Sequence, residues 1–150
     1  MTPDPAALAR AHSLSRRLIE VAERAKSDFG GIAGEFGLTA VQARTVLWLG
    51  DPRPMRDLAD HLACDPSNVT GIADRLQRLG LVERVAGTDR RVKQLSLTER
   101  GSALRAELGA RVASGSTVIA HLDPDEQDQL SWLLDKLLGL APVAQHGPRS

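Results

Sequence analysis

Residues 55–101 read MRDLADHLACDPSNVTGIADRLQRLGLVERVAGTDRRVKQLSLTERG, and this stretch decides the fold. Met55, Leu58, Ala59 and Leu62 recur at helical spacing and give a short helix. Asp65-Pro66 supplies an N-cap followed by proline at the first helical position, so a second helix starts there. That helix turns Val69, Ile72, Ala73, Leu76 and Leu79 inward, and Gly80 is placed to end it in a left-handed conformation. Its opposite face carries Ser67, Asn68, Thr70, Gly71, Asp74, Arg75 and Arg78, a polar set suited to base edges and phosphates. Residues 81–86 and 92–97 alternate like strands around the turn Gly87-Thr88-Asp89-Arg90, with Leu95 and Leu97 inward and Arg91 and Lys93 toward the tip. Two helices joined by a tight turn make a rod narrow enough for a major groove. A basic hairpin beside them reaches a phosphate backbone or a minor groove.

Helices flank this module on both sides. Upstream, residues 5–26 place Leu8, Ala11, Leu14, Leu18, Val21, Ala22 and Ala25 on one stripe, and Gly30-Gly31 is expected to break it. Thr39-Ala40-Val41-Gln42 matches a capping box, opening a helix that buries Ala43, Val46, Leu47 and Leu49 and stops before Gly50-Asp51-Pro52. Downstream, Thr98 caps a long helix whose seam is Leu104, Leu108, Val112, Ile119 and Leu122. Asp123-Pro124-Asp125-Glu126 starts the final helix, with Leu130, Leu133, Leu134, Leu137 and Leu138 in a stripe too wide for one shallow contact. Residues 142–150 read as a disordered tail.

A chain of 150 residues suffices for one domain with its own core, and 42% apolar with 25% charged residues is ordinary globular usage. The net charge of zero conceals a polarity. Between Asp74 and Arg105, eight basic residues face four acidic ones, whereas between His121 and Ala141 five carboxylates face Lys136 alone. Such asymmetry suits a protein presenting one basic face to phosphates. No apolar run approaches the ~20 residues a bilayer needs, and the start Met1-Thr2-Pro3-Asp4-Pro5 is unlike a secretory signal, so a cytoplasmic protein is expected. The single cysteine, Cys64, excludes an internal disulfide. His12, His61, His121 and His146 lack ligand spacing; His61 near Cys64 reads as a surface imidazole and a small buried thiol, and no metal or cofactor is expected. There is no glycine-rich phosphate loop and no Ser-His-Asp set in context, so an enzyme is not expected.

In order, Leu58-Ala59-Asp60-His61-Leu62, Asp65-Pro66-Ser67-Asn68-Val69-Thr70, Arg75-Leu76-Gln77-Arg78-Leu79-Gly80-Leu81-Val82-Glu83-Arg84, Asp89-Arg90-Arg91 and Leu97-Thr98-Glu99-Arg100-Gly101 resemble the MarR family of bacterial transcription regulators over nearly the whole chain. The resemblance implies one mainly α domain over 1–150 with a small β-hairpin wing. Its winged helix-turn-helix spans 39–98, and the dimerisation helices lie at 5–36 and 99–141. It implies a homodimer on double-stranded DNA, with a roughly palindromic operator and repression as the default mode. By position, Ser67, Asn68, Thr70, Gly71 and Arg75 would enter the major groove. Asn68 and Arg75 are the choices for base contacts, with Asp74 orienting Arg75. Arg78, Arg90 and Lys93 are further DNA-binding candidates, and Arg91 would enter the minor groove with its guanidinium held by Asp89.

Regulators of this kind are often released by a small ligand or an oxidant. His12, Phe29, Phe36 and Trp48 are candidates to line a cleft for a small aromatic or phenolic effector; the alternative is that they are core and linker packing. Cys64 lies just before a helix N-terminus, so a thiol sensor is one reading and a small residue filling the turn the other. A winged-helix module that meets a protein rather than DNA is the remaining alternative. A basic wing and a polar recognition face argue against it.

Overall fold

The computed structural model describes residues 4–140, so the expected tail at 142–150 lies outside the described residues. By compactness the chain divides into two units, Met1–Ser116 and Thr117–Ser150.

The first unit opens with α1, Pro5–Glu35, whose Asp4 N-cap carboxylate accepts the Ala6 N–H at 3.1 Å. Gly30 and Gly31 do not break it: α1 is one helix of 31 residues, about 46 Å long at 1.5 Å per residue. Each interior glycine costs about 1 kcal/mol, but the same turns bury Ile32 and Ala33, and α1 packs there on α2 and α5. The terminator is Gly37 at φ +69°, where the Leu38 N–H reaches back to the Ala33 carbonyl at 3.0 Å. Helix α2, Ala40–Trp48, carries the expected capping box of Thr39 and Gln42. A two-residue strand the pattern did not suggest, β1 at Arg53–Pro54, leads into α3, Met55–Leu62.

Ala63 turns the chain at φ +50°, and α4 follows at Pro66–Arg78. Asp65 is its N-cap residue as expected, although its side chain makes no capping bond. Gly80 ends α4 at φ +72°, with the Leu81 N–H bonded to the Leu76 carbonyl. Strands β2, Val82–Ala86, and β3, Lys93–Leu97, pair antiparallel from Val82↔Leu97 to Ala86↔Lys93. The sheet order is β1-β3-β2, so β1 covers the otherwise free edge of β3.

Helix α5, Glu99–Gly115, begins at Thr98. It stops short of the expected seam, because Ser116 adopts an extended conformation (φ −75°, ψ 105°) and Ile119 falls in a separate 3₁₀ turn, Ile119–His121, that ends at Leu122. The Ser114-Gly115-Ser116-Thr117 run is poor in helix formers, and local hydroxyl bonding competes with the ladder there. Glu35 at the end of α1 holds Arg111 of α5 with both carboxylate oxygens at 2.8 Å, which raises the Arg111 pKa above its ordinary value.

Every fully buried apolar residue among those described lies in the first unit. Leu49, Leu58, Leu76, Leu95 and Leu108 are the largest, contributed by the end of α2, by α3, α4, β3 and α5. Upstream of this core α1 leaves Leu8, Leu14, Leu18, Ile19 and Val21 exposed. In the second unit α6, Pro124–Leu137, has the capping box of Asp123 and Glu126. It exposes Trp132, Leu133, Leu134 and Leu137, with Leu138 beyond its end.

Candidate nucleic-acid interface

The amphipathic pattern of α4 sorts its residues as the period of 3.6 demands. Val69, Ala73 and Leu76 are buried, while Ser67, Asn68, Thr70, Gly71, Asp74, Arg75 and Arg78 are exposed together on the opposite side. Two of these side chains bond within the helix: Thr70 donates to the Pro66 carbonyl at 3.1 Å and Arg78 Nε to the Asp74 carbonyl at 3.4 Å. The side chains of Ser67, Asn68 and Arg75 have no hydrogen-bond partner among the described residues, so their donors and acceptors stand ready for an outside partner.

Asp74 does not orient Arg75. Its carboxylate accepts from Arg84 of β2 at 2.6 Å, and the same guanidinium also bonds Gln77. Adjacent residues of a helix point about 100° apart and cannot face each other, whereas β2 leaves α4 through a tight turn and runs beside it. Arg84 therefore ties the wing to α4 and neutralises the one carboxylate on that face. Nothing in the local pattern marks it, since the contact spans ten residues and two elements.

At the wing tip Asp89 also has a different partner from the expected one. Its carboxylate accepts the backbone N–H of Arg91 at 3.0 Å, and its carbonyl accepts from Val92 at 2.9 Å. This is a closed Asx turn, and the nearest donor is the backbone two residues on. The guanidinium of Arg91 is left exposed, as are Arg90 and Lys93, and none of the three forms an ion pair among the described residues.

The Thr98 hydroxyl bridges the end of α4 and the start of α5. Thr98 Oγ1 donates to the Gly80 carbonyl at 2.6 Å and accepts the Gly101 N–H at 3.0 Å. Beside it Gly101 is buried, and a Cβ there would lie 1.9 Å from the Leu81 carbonyl oxygen.

Next to the recognition face an open cleft of about 470 Å³ is lined by Val41, Gln42, Leu62, Cys64, Ile72 and, from the face itself, Ser67, Asn68, Gly71 and Arg75. Cys64 is half-buried in its wall. The four residues proposed for an effector cleft are not gathered within one chain. His12 and Phe29 lie 17 residues apart on the unbroken α1, a separation of about 25 Å. Phe29, Phe36 and Trp48 pack against the core as the alternative reading held. Trp48 stacks on His61 at 5.0 Å with 15° between planes, and the Arg53 guanidinium lies 4.9 Å from its ring centre. Among the described residues no cluster of His, Cys, Asp and Glu is arranged to hold a metal ion, and no helix is long and apolar enough to cross a membrane.

Comparison with known proteins accords with this geometry. Residues 36–92 match the family model of the MarR family. A curated relative, the HTH-type transcriptional repressor MdtR of Bacillus subtilis, is 36% identical over 83 residues, covering 54% of this chain and 54% of its own. The chain thus spans about half the length of that relative. Among solved structures, apo MarR of Escherichia coli superposes with a TM-score of 0.69 at 25% identity, over 83% of this chain and 96% of its own. A MarR family protein of Mycobacterium tuberculosis in complex with p-aminosalicylic acid gives a TM-score of 0.66 at 26% identity, over 83% and 97%.

Proposed function

Since the chain belongs to the MarR family, with residues 36–92 carrying the family match, we propose that it is a transcription regulator that binds double-stranded DNA as a homodimer. One observation carries the reading. The α4 face offers Asn68 and Arg75 without internal partners, the wing beside it offers Arg90, Arg91 and Lys93, and Arg84 has already engaged the carboxylate of Asp74. Asn68 pairs with adenine and Arg75 with guanine in a major groove; Ser67, Thr70 and Arg78 hold the backbone, and Gly71 gives close approach. Arg91 enters the minor groove, with Arg90 and Lys93 on flanking phosphates. Asp89 shapes the turn that aims them.

The exposed apolar surface supports dimerisation. The exposed stripe of α1 and that of α6 each exceed what a soluble surface ordinarily leaves bare, and each supports burial against a second copy. Two-fold symmetry then sets the α4 helices about 34 Å apart on a roughly palindromic operator.

Repression is supported by the name of the B. subtilis relative, and release by a small aromatic acid or phenol by the M. tuberculosis complex. In this chain the cleft beside α4 is the place for such a ligand, because an occupant would take Ser67, Asn68 and Arg75 away from DNA.

The test is a fluorescence-anisotropy titration of wild type and Arg91→Ala against duplex DNA from the gene's own upstream region at two salt concentrations. Binding that falls steeply with salt and that Arg91→Ala weakens by about 1 kcal/mol or more is the expected result. Salt-insensitive binding, or none above random duplex in a genome-wide selection, would favour a protein partner instead.

A further inference from the structure

Away from α4 and the wing tip, two arginines and an imidazole lie near one indole. Arg44 and Trp48 stand four residues apart on α2 and therefore share a face. Arg53 arrives on β1, directly after the turn that ends α2, and His61 comes from the last turn of α3. Trp48 fixes two of the three, with the His61 ring stacked at 5.0 Å and the Arg53 guanidinium 4.9 Å from its centroid. A guanidinium held on an aromatic surface has lost much of its rotamer freedom before any ligand arrives.

The carboxylates that would ordinarily consume such arginines are absent from the cluster. Elsewhere Arg24, Arg84 and Arg111 are paired with Glu20, Asp74 and Glu35. The guanidinium groups of Arg44 and Arg53 form no ion pair or hydrogen bond with any described residue. Asp57 is engaged by Arg56 at 3.7 Å, Asp60 lines a separate cleft with Ala63 and Asn68, and exposed Asp51 does not reach Arg53.

We propose that Arg44, Arg53 and His61, gathered around the Trp48 indole, form an oxyanion site of the phosphate class, distinct from the recognition face and the wing. Several anion oxygens can each meet a different donor here, as a tetrahedral phosphate allows and a flat carboxylate does less well. Loss of hydration first, then the charges of Arg44 and Arg53, hold the His61 pKa below its ordinary value. An anion between the three reverses the last two effects. The phosphate has two possible sources, a free ion or the DNA backbone. The second source rests on the DNA-binding reading, in which the first helix of a helix-turn-helix crosses the sugar-phosphate chain.

Imidazole NMR of the full chain separates these outcomes. His12 and His121 serve as internal controls, and His61→Gln assigns the signal. Inorganic phosphate, titrated at constant ionic strength against chloride, is expected to move the His61 signals saturably and raise their titration midpoint by about half a pH unit or more. Arg44→Gln, which alters an exposed side chain, is expected to weaken that response at least about fivefold, and Arg53→Lys to weaken it less. A His61 response no larger than that of His12 and His121, or one unchanged by Arg44→Gln, overturns the proposal.

A second arm replaces phosphate with duplex DNA in chloride buffer. If DNA moves His61 and Arg44→Gln lowers the salt slope of binding by about one, the backbone supplies the phosphate. If DNA binds without either effect while the phosphate response persists, the site takes the free ion. Failure of DNA to bind at all would count against the regulator reading and leave the phosphate arm intact.

Discussion

Two glycines, one in α4 and one at the start of α5, have opposite reasons for being glycine. Gly101 is buried under the Leu81 carbonyl, where any Cβ collides. Gly101→Ala is expected to cost about 2–3 kcal/mol in urea unfolding, and an unchanged midpoint would contradict the packing described. Gly71 has nothing within 4 Å of its Cβ position, and in mid-helix it forgoes stability without an internal need. Gly71→Ala is therefore expected to stabilise the fold by up to about 1 kcal/mol while weakening DNA binding. If affinity holds, DNA does not approach that part of α4. His61 makes a third residue-level prediction. Its folded pKa lies below the unfolded value, so the unfolded chain takes the proton first and stability falls as pH drops through about 6.5. Urea midpoints at pH 7.5 and 5.5 are expected to differ more in wild type than in His61→Gln, by less than about 1 kcal/mol because the ring is still largely in water. Arg111 adds nothing in that range, since its raised pKa would release stability in strong alkali alone.

Among the elements, those set by local chemistry were legible in the sequence. The capping box at Thr39, the left-handed Gly80 and the Asp123-Pro124 start of α6 each depend on residues within a few positions, and each stands where the pattern put it. The misreadings arise where a distant contact outweighs a local preference. Gly30-Gly31 stays helical because Ile32 and Ala33 are buried against other helices, and two-residue β1 forms because β3 offers it an edge. The recognition face was readable from period alone, but Arg84 was not, since its partners belong to another element. That clamp is testable. Arg84→Ala is expected to cost the fold less than about 1 kcal/mol, the pair being half-exposed. Its effect on DNA affinity should be larger, about tenfold, because it frees a carboxylate beside the phosphates. Adding Asp74→Asn to Arg84→Ala should recover part of that loss; additive losses would mean the two residues act independently.

For the whole molecule, the core of the first unit accounts for the winged module and leaves Leu8, Leu14, Leu18, Ile19 and Val21 of α1 exposed. Leu18 is 48% exposed on that stripe, and in the second unit Leu137 is 66% exposed. Leu18→Glu and Leu137→Glu are each expected to shift sedimentation toward the monomer and to reduce DNA affinity through loss of the second reading head. Unchanged sedimentation would place the contact on another surface. The joint at Thr98 bears on motion within each copy. One oxygen bonds both the Gly80 carbonyl that follows α4 and the amide of Gly101, the third residue of α5. The end of α4 and the start of α5 are therefore expected to open together as one unit, their amides exchanging hydrogen with a common free energy. Thr98→Val, which keeps the shape and removes the oxygen, divides that unit in two.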